Sequence, residues 1–280
     1  MTGDAEEGSA RASVTLATKV YVAGDARARA IDSMESLIAN QLGALDVEWE
    51  LAVEEHSFPT VTLSGRDADA GRSVLDREWA TIVDRRTTGE RYVGTLERWD
   101  ERGLVLDAGA PVRIPTEDIG LGPGSPSQIR DRFGLVQHLP LSFVSTTGTD
   151  AGRSVESPDG DSAPTATDPG EDSGPSAAVD RAALDDPTVE PRERGRLSDE
   201  TLDRLYEWRR GPGRVNVNSA TRSAVRATLN RAGHARDVVT VERLGLLEQS
   251  VICAEGTDPP GLLASVGRYL QAELLCVIPE

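Results

Sequence analysis

The chain has 280 residues, 38% of them hydrophobic, and a formal charge of −17. That length allows two or three small domains, and the apolar share excludes wholesale disorder. No run approaches the roughly 20 consecutive apolar residues of a membrane span, and residues 1–11 are acidic rather than a basic leader, so a soluble cytoplasmic protein off the bilayer is expected.

Of the 30 basic residues 29 are arginine, leaving Lys19 as the only lysine. Acidic residues spread along the whole chain, with lysine almost gone, read as adaptation to molar salt. At about 1 M salt the Debye length falls to roughly 3 Å, so the net charge no longer excludes a polyanionic partner. Cys253 and Cys276 lie in strand-like runs and read as small buried hydrophobes; neither a disulfide framework nor metal-ligand spacing is present.

In chain order, residues 1–12 are expected to be disordered and residues 13–86 to form a βαββα sandwich. Val14 to Val22 reads as a strand. Asp25 is the expected cap of a helix carrying Ile31, Met34, Ile38 and Leu42 and ending at Gly43. Val47, Trp49, Leu51 and Val53 alternate with polar or small residues, which predicts a strand with one wet face. His56 and Pro59 mark a turn, Val61 and Leu63 continue the sheet, and Asp67 to Val83 carries Val74, Leu75, Trp79 and Ile82 at helical spacing.

Across 87–145 the rhythm changes to short strands punctuated by glycine. Ser125-Pro126-Ser127-Gln128, after Gly120-Leu121-Gly122-Pro123-Gly124, fits a capping box opening a short helix, although such a helix start also offers free N–H groups to a phosphate. Residues 146–196 hold 12 Asp and Glu against 5 Arg and no aromatic residue, which predicts a structureless acidic linker tethering two folded parts.

From 197 to 280 the earlier order returns. Ser198 caps a helix ended by Gly211-Pro212-Gly213, and Val215 and Val217 form a strand. Ser219 or Thr221 then starts a helix, Val238 to Val241 pairs with Leu246 to Ala254, Asp258-Pro259-Pro260 opens another helix, and Leu274 to Ile278 closes the sheet. This βαββαβ pattern predicts a ferredoxin-like sandwich, and its match to the N-terminal order suggests internal duplication. The fold class is therefore α+β.

The most unusual window is Trp208 to Arg236, which has Arg209, Arg210, Arg214, Arg222, Arg226, Arg231 and Arg236 and no Asp or Glu. Arg222, Arg226 and Asn230 share one helical face; such like-charge spacing has a cost, and forked guanidinium recognition of phosphate is one reason to keep it. Pairing with carboxylates elsewhere, the linker included, is the structural alternative. Asn216 and Asn218 emerge on one strand face, where amides read base edges or simply meet water. His56, His138 and His234 are scattered, and there is no catalytic motif, metal cluster or cofactor signature, so a non-enzymatic protein is expected.

Tyr92-Val93-Gly94-Thr95-Leu96, Gly103 to Gly109 and Val112 to Pro115 resemble the repeat of S1-type oligonucleotide-binding barrels. That resemblance implies an open strand face with aromatics for bases, here Tyr92, Trp99, Phe133 and Phe143. Thr257 to Leu263 resembles the Asp-x-Pro-Gly-Leu turn of ACT-type domains, although it precedes the second helix rather than the first. Together, Tyr92 to Leu96, Phe133 to Pro140, Gly213 to Asn218 and Glu255 to Gly261 are similar to an archaeal family known as domain of unknown function 2110, which implies no activity; the barrel-then-sandwich order is more loosely similar to the alpha subunit of archaeal translation initiation factor 2. The expectation is an RNA-binding accessory factor meeting RNA or a ribonucleoprotein through Arg209, Arg210, Arg214, Asn216, Asn218, Arg222, Arg226, Arg231, Tyr92 and Trp99. The acidic linker would guard the arginines against unspecific binding. The alternative is a regulatory module binding a small ligand or a protein through the C-terminal sandwich.

Overall fold

A computed structural model describes residues 10–54, 58–147, 184 and 190–279; His56 and most of the acidic linker lie outside them. Strand β1 (Arg11–Leu16) leads through a buried segment, 17–20, into helix α1 (Gly24–Leu42), followed by β2 (Glu48–Ala52), β3 (Thr60–Ser64), α2 (Ala68–Glu78) and β4 (Thr81–Ile82). The antiparallel sheet runs β2-β3-β1-β4. The expected βαββα is thus completed to βαββαβ. Trp79 turns extended at the end of α2, and the β-branched pair Thr81-Ile82 joins the sheet rather than prolonging the helix. Ala30, Met34, Ile38 and Leu42 of α1 pack with Val61, Leu63 and Leu75 as its core.

The middle of the chain forms a closed five-stranded barrel. Strands β5 (Arg91–Asp100), β6 (Gly103–Asp107), β7 (Pro111–Pro115) and β8 (Pro140–Ser145) are joined by β9 (Glu193–Leu197) in the order β5-β6-β7-β9-β8, closing back on β5. Gly103, at φ 137°, permits the closure, since a side chain there would collide with the Ile114 carbonyl. Helix α3 (Pro126–Phe133) begins with the expected capping box, with Ser125 Oγ accepting from the Gln128 N–H and Gln128 Oε1 from the Ser125 N–H.

Here the expected domain boundaries need correction. β9 comes from the stretch read as the end of the linker, so residues 193–196 are barrel, not spacer. Parallel to β7 and antiparallel to β8, β9 fills its inward positions with Glu193, Gly195 and Leu197. The linker is therefore an insertion between two neighbouring barrel strands and not a tether between domains. Helix α4 (Asp199–Arg209), capped by Ser198 as expected, also belongs to the barrel: Leu205 and Trp208 are buried in its core with Leu202 against it.

The C-terminal sandwich comprises β10 (Arg214–Asn218), α5 (Arg222–Arg231), β11 (Val238–Arg243), β12 (Gln249–Cys253), α6 (Pro259–Val266) and β13 (Glu273–Val277), in the strand order β11-β12-β10-β13. Position for position this is the order of the N-terminal sheet, as duplication would give. Thr221, not Ser219, caps α5, and Asp258 caps α6 through the Gly261 N–H. Leu246 and Leu247, at the tip of the β11–β12 hairpin, are buried in the N-terminal core, so the two sandwiches share apolar packing. Among the described residues, no helix is long and apolar enough to cross a membrane.

Candidate functional site

The exposed face of α5 carries Arg222, Arg226, Asn230 and Arg231, with Val225, Thr228 and Leu229 turned inward. Among the described residues none of these arginines makes an ion pair, in contrast to Arg113, held by Asp100 at 2.8 Å and Glu190 at 3.2 Å. The face opens on both sides toward α1. One cleft, of about 410 Å³, is lined by Arg29 and Arg231. The other, of about 440 Å³, lies between α1, the end of α2 and the start of α5, and Arg222, Arg226 and Arg243 line it. Among the described residues its one lining carboxylate, Glu78, is bound by Arg243 at 3.2 Å. In its wall sit two buried polar side chains without partners among the described residues: the Trp79 indole N–H and Gln249 Oε1. Gln249 is fixed in orientation because its Nε2 donates to the Ala220 carbonyl at 3.3 Å.

Half of the ten residues expected on an RNA face are placed otherwise. Arg214 is 1% exposed; it donates to the Gly134 carbonyl at 2.5 Å and lies 4.1 Å from the Trp208 ring, and burial lowers its pKa. Asn216 accepts from Arg214 and Ser250, and Asn218 donates to Glu273 at 2.7 Å; both are buried against the barrel side. Arg214 thus ties the C-terminal sheet to the barrel, Asn216 and Asn218 are bound within the sandwich, and all three are too deeply buried to meet a nucleic acid. Tyr92 and Trp99 pack half-buried on the barrel core, with the Tyr92 hydroxyl accepting from the Thr87 N–H and Arg130 covering the Trp99 ring at 5.0 Å. Both rings are thus already engaged by protein groups. Arg209 and Arg210 are exposed at the end of α4, Arg209 over the Phe133 ring at 5.3 Å.

A second constellation, which the sequence reading missed, joins all three domains around the segment after β1. The Lys19 ammonium meets Asp107 at 2.5 Å and Glu97 at 2.9 Å, on adjacent barrel strands, with the Phe58 ring 4.8 Å away. Burial pulls its pKa down, but the two carboxylates more than reverse this and the pKa is raised. Two carboxylates converging on one buried point suit the compact ammonium better than a planar fork, which accounts for a lone lysine among arginines. Thr18 Oγ1 donates to Glu248 Oε1 at 2.6 Å, and burial pushes the Glu248 carboxyl up to about 7.

Tyr21 stacks on His138 at 3.8 Å, and its N–H donates to Ser219 Oγ at 2.7 Å. His138 Nδ1 in turn lies 2.8 Å from Glu273. Among the described residues His138 and Ser219 are the non-glycine residues with positive φ, at 63° and 69°, a conformation that is sustained only where the surroundings impose it. Both touch Tyr21, so the strain is concentrated where the domains meet. The one available signal was compositional, namely that Lys19 alone is lysine.

Among the described residues no group of three or more His, Cys, Asp or Glu could hold a metal. Burial pushes the Cys253 thiol up to about 11 and also raises Cys276, so both are held as thiols.

Three family models match: the DUF2110 N-terminal domain over residues 13–85, its central domain over 86–158 and its C-terminal domain over 212–278. No curated protein and no solved structure matches. No catalytic family is among the matches, and the family's function is unknown. With its three matched regions coinciding with the N-terminal sandwich, the first four barrel strands and the C-terminal sandwich, the chain belongs to the DUF2110 family.

Proposed function

We propose that the protein is a non-enzymatic RNA-binding factor, working in a salt-adapted cytoplasm, that grips phosphates on the exposed face of α5. The observation that carries this reading is the convergence of Arg222, Arg226 and Arg231, unpaired among the described residues, on a face that opens into clefts on both sides. Guanidinium forks bind phosphate in pairs of short hydrogen bonds, which survive salt better than point-charge attraction. Arg209 and Arg210, exposed at the end of α4, are further arginines for the same polyanion. The RNA or ribonucleoprotein meets phosphate-binding arginines, with no stacking on Tyr92 or Trp99. Crosslinking and cosedimentation with RNA in molar KCl test the reading. Wild type associates, and Arg222→Glu combined with Arg226→Glu abolishes the association; absence of RNA association in the wild type would sink the proposal.

A regulatory module with a small ligand is the second reading, favoured by the two unpartnered polar groups in the cleft wall. A thermal-shift screen with amino acids and nucleotides separates the two, since a ligand that binds only the folded state raises the midpoint. The guarding role of the acidic insertion is tested by excising residues 148–189 and leaving β9 intact. Unchanged RNA affinity at reduced salt would show that it does not shield the arginines.

A further inference from the structure

We propose that the 440 Å³ cleft between α1 and α5 is a nucleotide pocket, in which Trp79 and Gln249 read the edge of a base while Arg222 and Arg226 hold its phosphate. The proposal deepens the RNA reading in naming what enters the site, yet stands separately from it, because an unpaired nucleotide of an RNA and a free nucleotide have the same chemistry.

Three features point to this class of ligand. Buried polar groups are nearly always satisfied, so a wall that leaves one donor and one acceptor without a protein partner points to a ligand with the complementary pair. Trp79 is 6% exposed and Gln249 1%, and neither the indole N–H nor the amide oxygen, both buried in the wall, has a protein partner among the described residues. The ligand must accept from the first and donate to the second, as a base edge with a ring nitrogen or carbonyl beside an amino or ring N–H does. The apolar lining from Leu37, Leu246 and the Trp79 ring suits a flat body, and the cleft lies within the roughly 300 to 1,000 Å³ typical of small-molecule sites. With Glu78 already bound by Arg243, Arg222 and Arg226 are left to meet the anion.

The test measures calorimetric affinity in molar KCl for the four ribonucleoside monophosphates, ribose 5-phosphate and a single-stranded RNA oligonucleotide. Wild type, Trp79→Phe and Gln249→Leu are compared. At least one monophosphate is expected to bind about tenfold or more tightly than ribose 5-phosphate, the baseless control, because one buried hydrogen bond accounts for up to about that factor. Each variant should lose about that factor. Trp79→Phe should leave the thermal midpoint of the free protein unchanged, because the N–H it removes has no partner to lose; a merely structural tryptophan would show the reverse, lowered stability with unchanged affinity. RNA binding weakened by the same variants identifies the source as RNA. Nucleotide binding without RNA binding supports the pocket and fails the RNA reading. RNA binding indifferent to both variants, with no preference for any monophosphate over ribose 5-phosphate, overturns the pocket and leaves the RNA reading standing. A monophosphate preference unaffected by either variant also overturns the pocket, and absence of all binding overturns both.

Discussion

On β1 the face turned away from the helices carries Arg11 and Ser13, exposed, and Thr15, half-buried, whereas on β10 the corresponding face carries Arg214, Asn216 and Asn218, all buried. The two strands hold the same central position in sheets of the same order. What differs is the neighbour. The outer face of the C-terminal sheet is covered by the barrel, through Gly134, Trp208 and His138: Arg214 bonds across to the Gly134 carbonyl, and Asn218 holds Glu273, which in turn meets His138. Alternation of polar and apolar residues therefore identifies two faces of a strand without saying which one meets water.

The comparison can be broken most forcefully at the junction from which the covering follows. Lys19→Met leaves Glu97 and Asp107 buried without their cation and should cost about 3–5 kcal/mol in urea unfolding, with Lys19→Arg also destabilising because its fork does not fit the same point. Next in size is Glu248, whose carboxyl is raised from an ordinary value of about 4.5 to about 7. A carboxyl that holds its proton more tightly when folded contributes stability that is complete below pH about 4.5 and lost as pH rises through about 7. The loss is on the order of 3 kcal/mol, and the difference between wild type and Glu248→Gln across that window measures it.

Arg214→Ala should then cost about 2–3 kcal/mol, since it empties a buried site and strips the Gly134 carbonyl of a donor. Ser13→Ala, its counterpart on the open sheet, should change stability by less than about 0.5 kcal/mol. Equal effects at the two positions would erase the distinction between the faces.

Much of the fold was legible because local chemistry and tertiary structure agree. Ser125, Ser198 and Asp258 cap the helices that their side chains predicted, and the strand alternations hold. β9 was hidden because its inward positions are occupied by Glu193 and Gly195 and followed by one apolar residue, Leu197, in a tract of acidic and turn-forming residues. Glu193 is tolerated there because the Arg86 guanidinium meets it at 2.5 Å, a partner 107 positions away. The candidate site was half legible. The α5 arginines follow helical spacing, but Trp79 and Gln249 come together only when two sandwiches dock, and nothing local to either residue signals the other.

The pairing of Ser145 with Gly195, with the Thr146 N–H donating to the Arg194 carbonyl at 2.9 Å, holds both ends of the acidic insertion at one rim of the barrel. Doubling the length of a flexible loop between fixed ends costs only about 0.6 kcal/mol. The rim is therefore a natural splice point, at which relatives of this protein are free to differ by dozens of residues, and a reporter domain can be grafted, without a single strand of the barrel being asked to move.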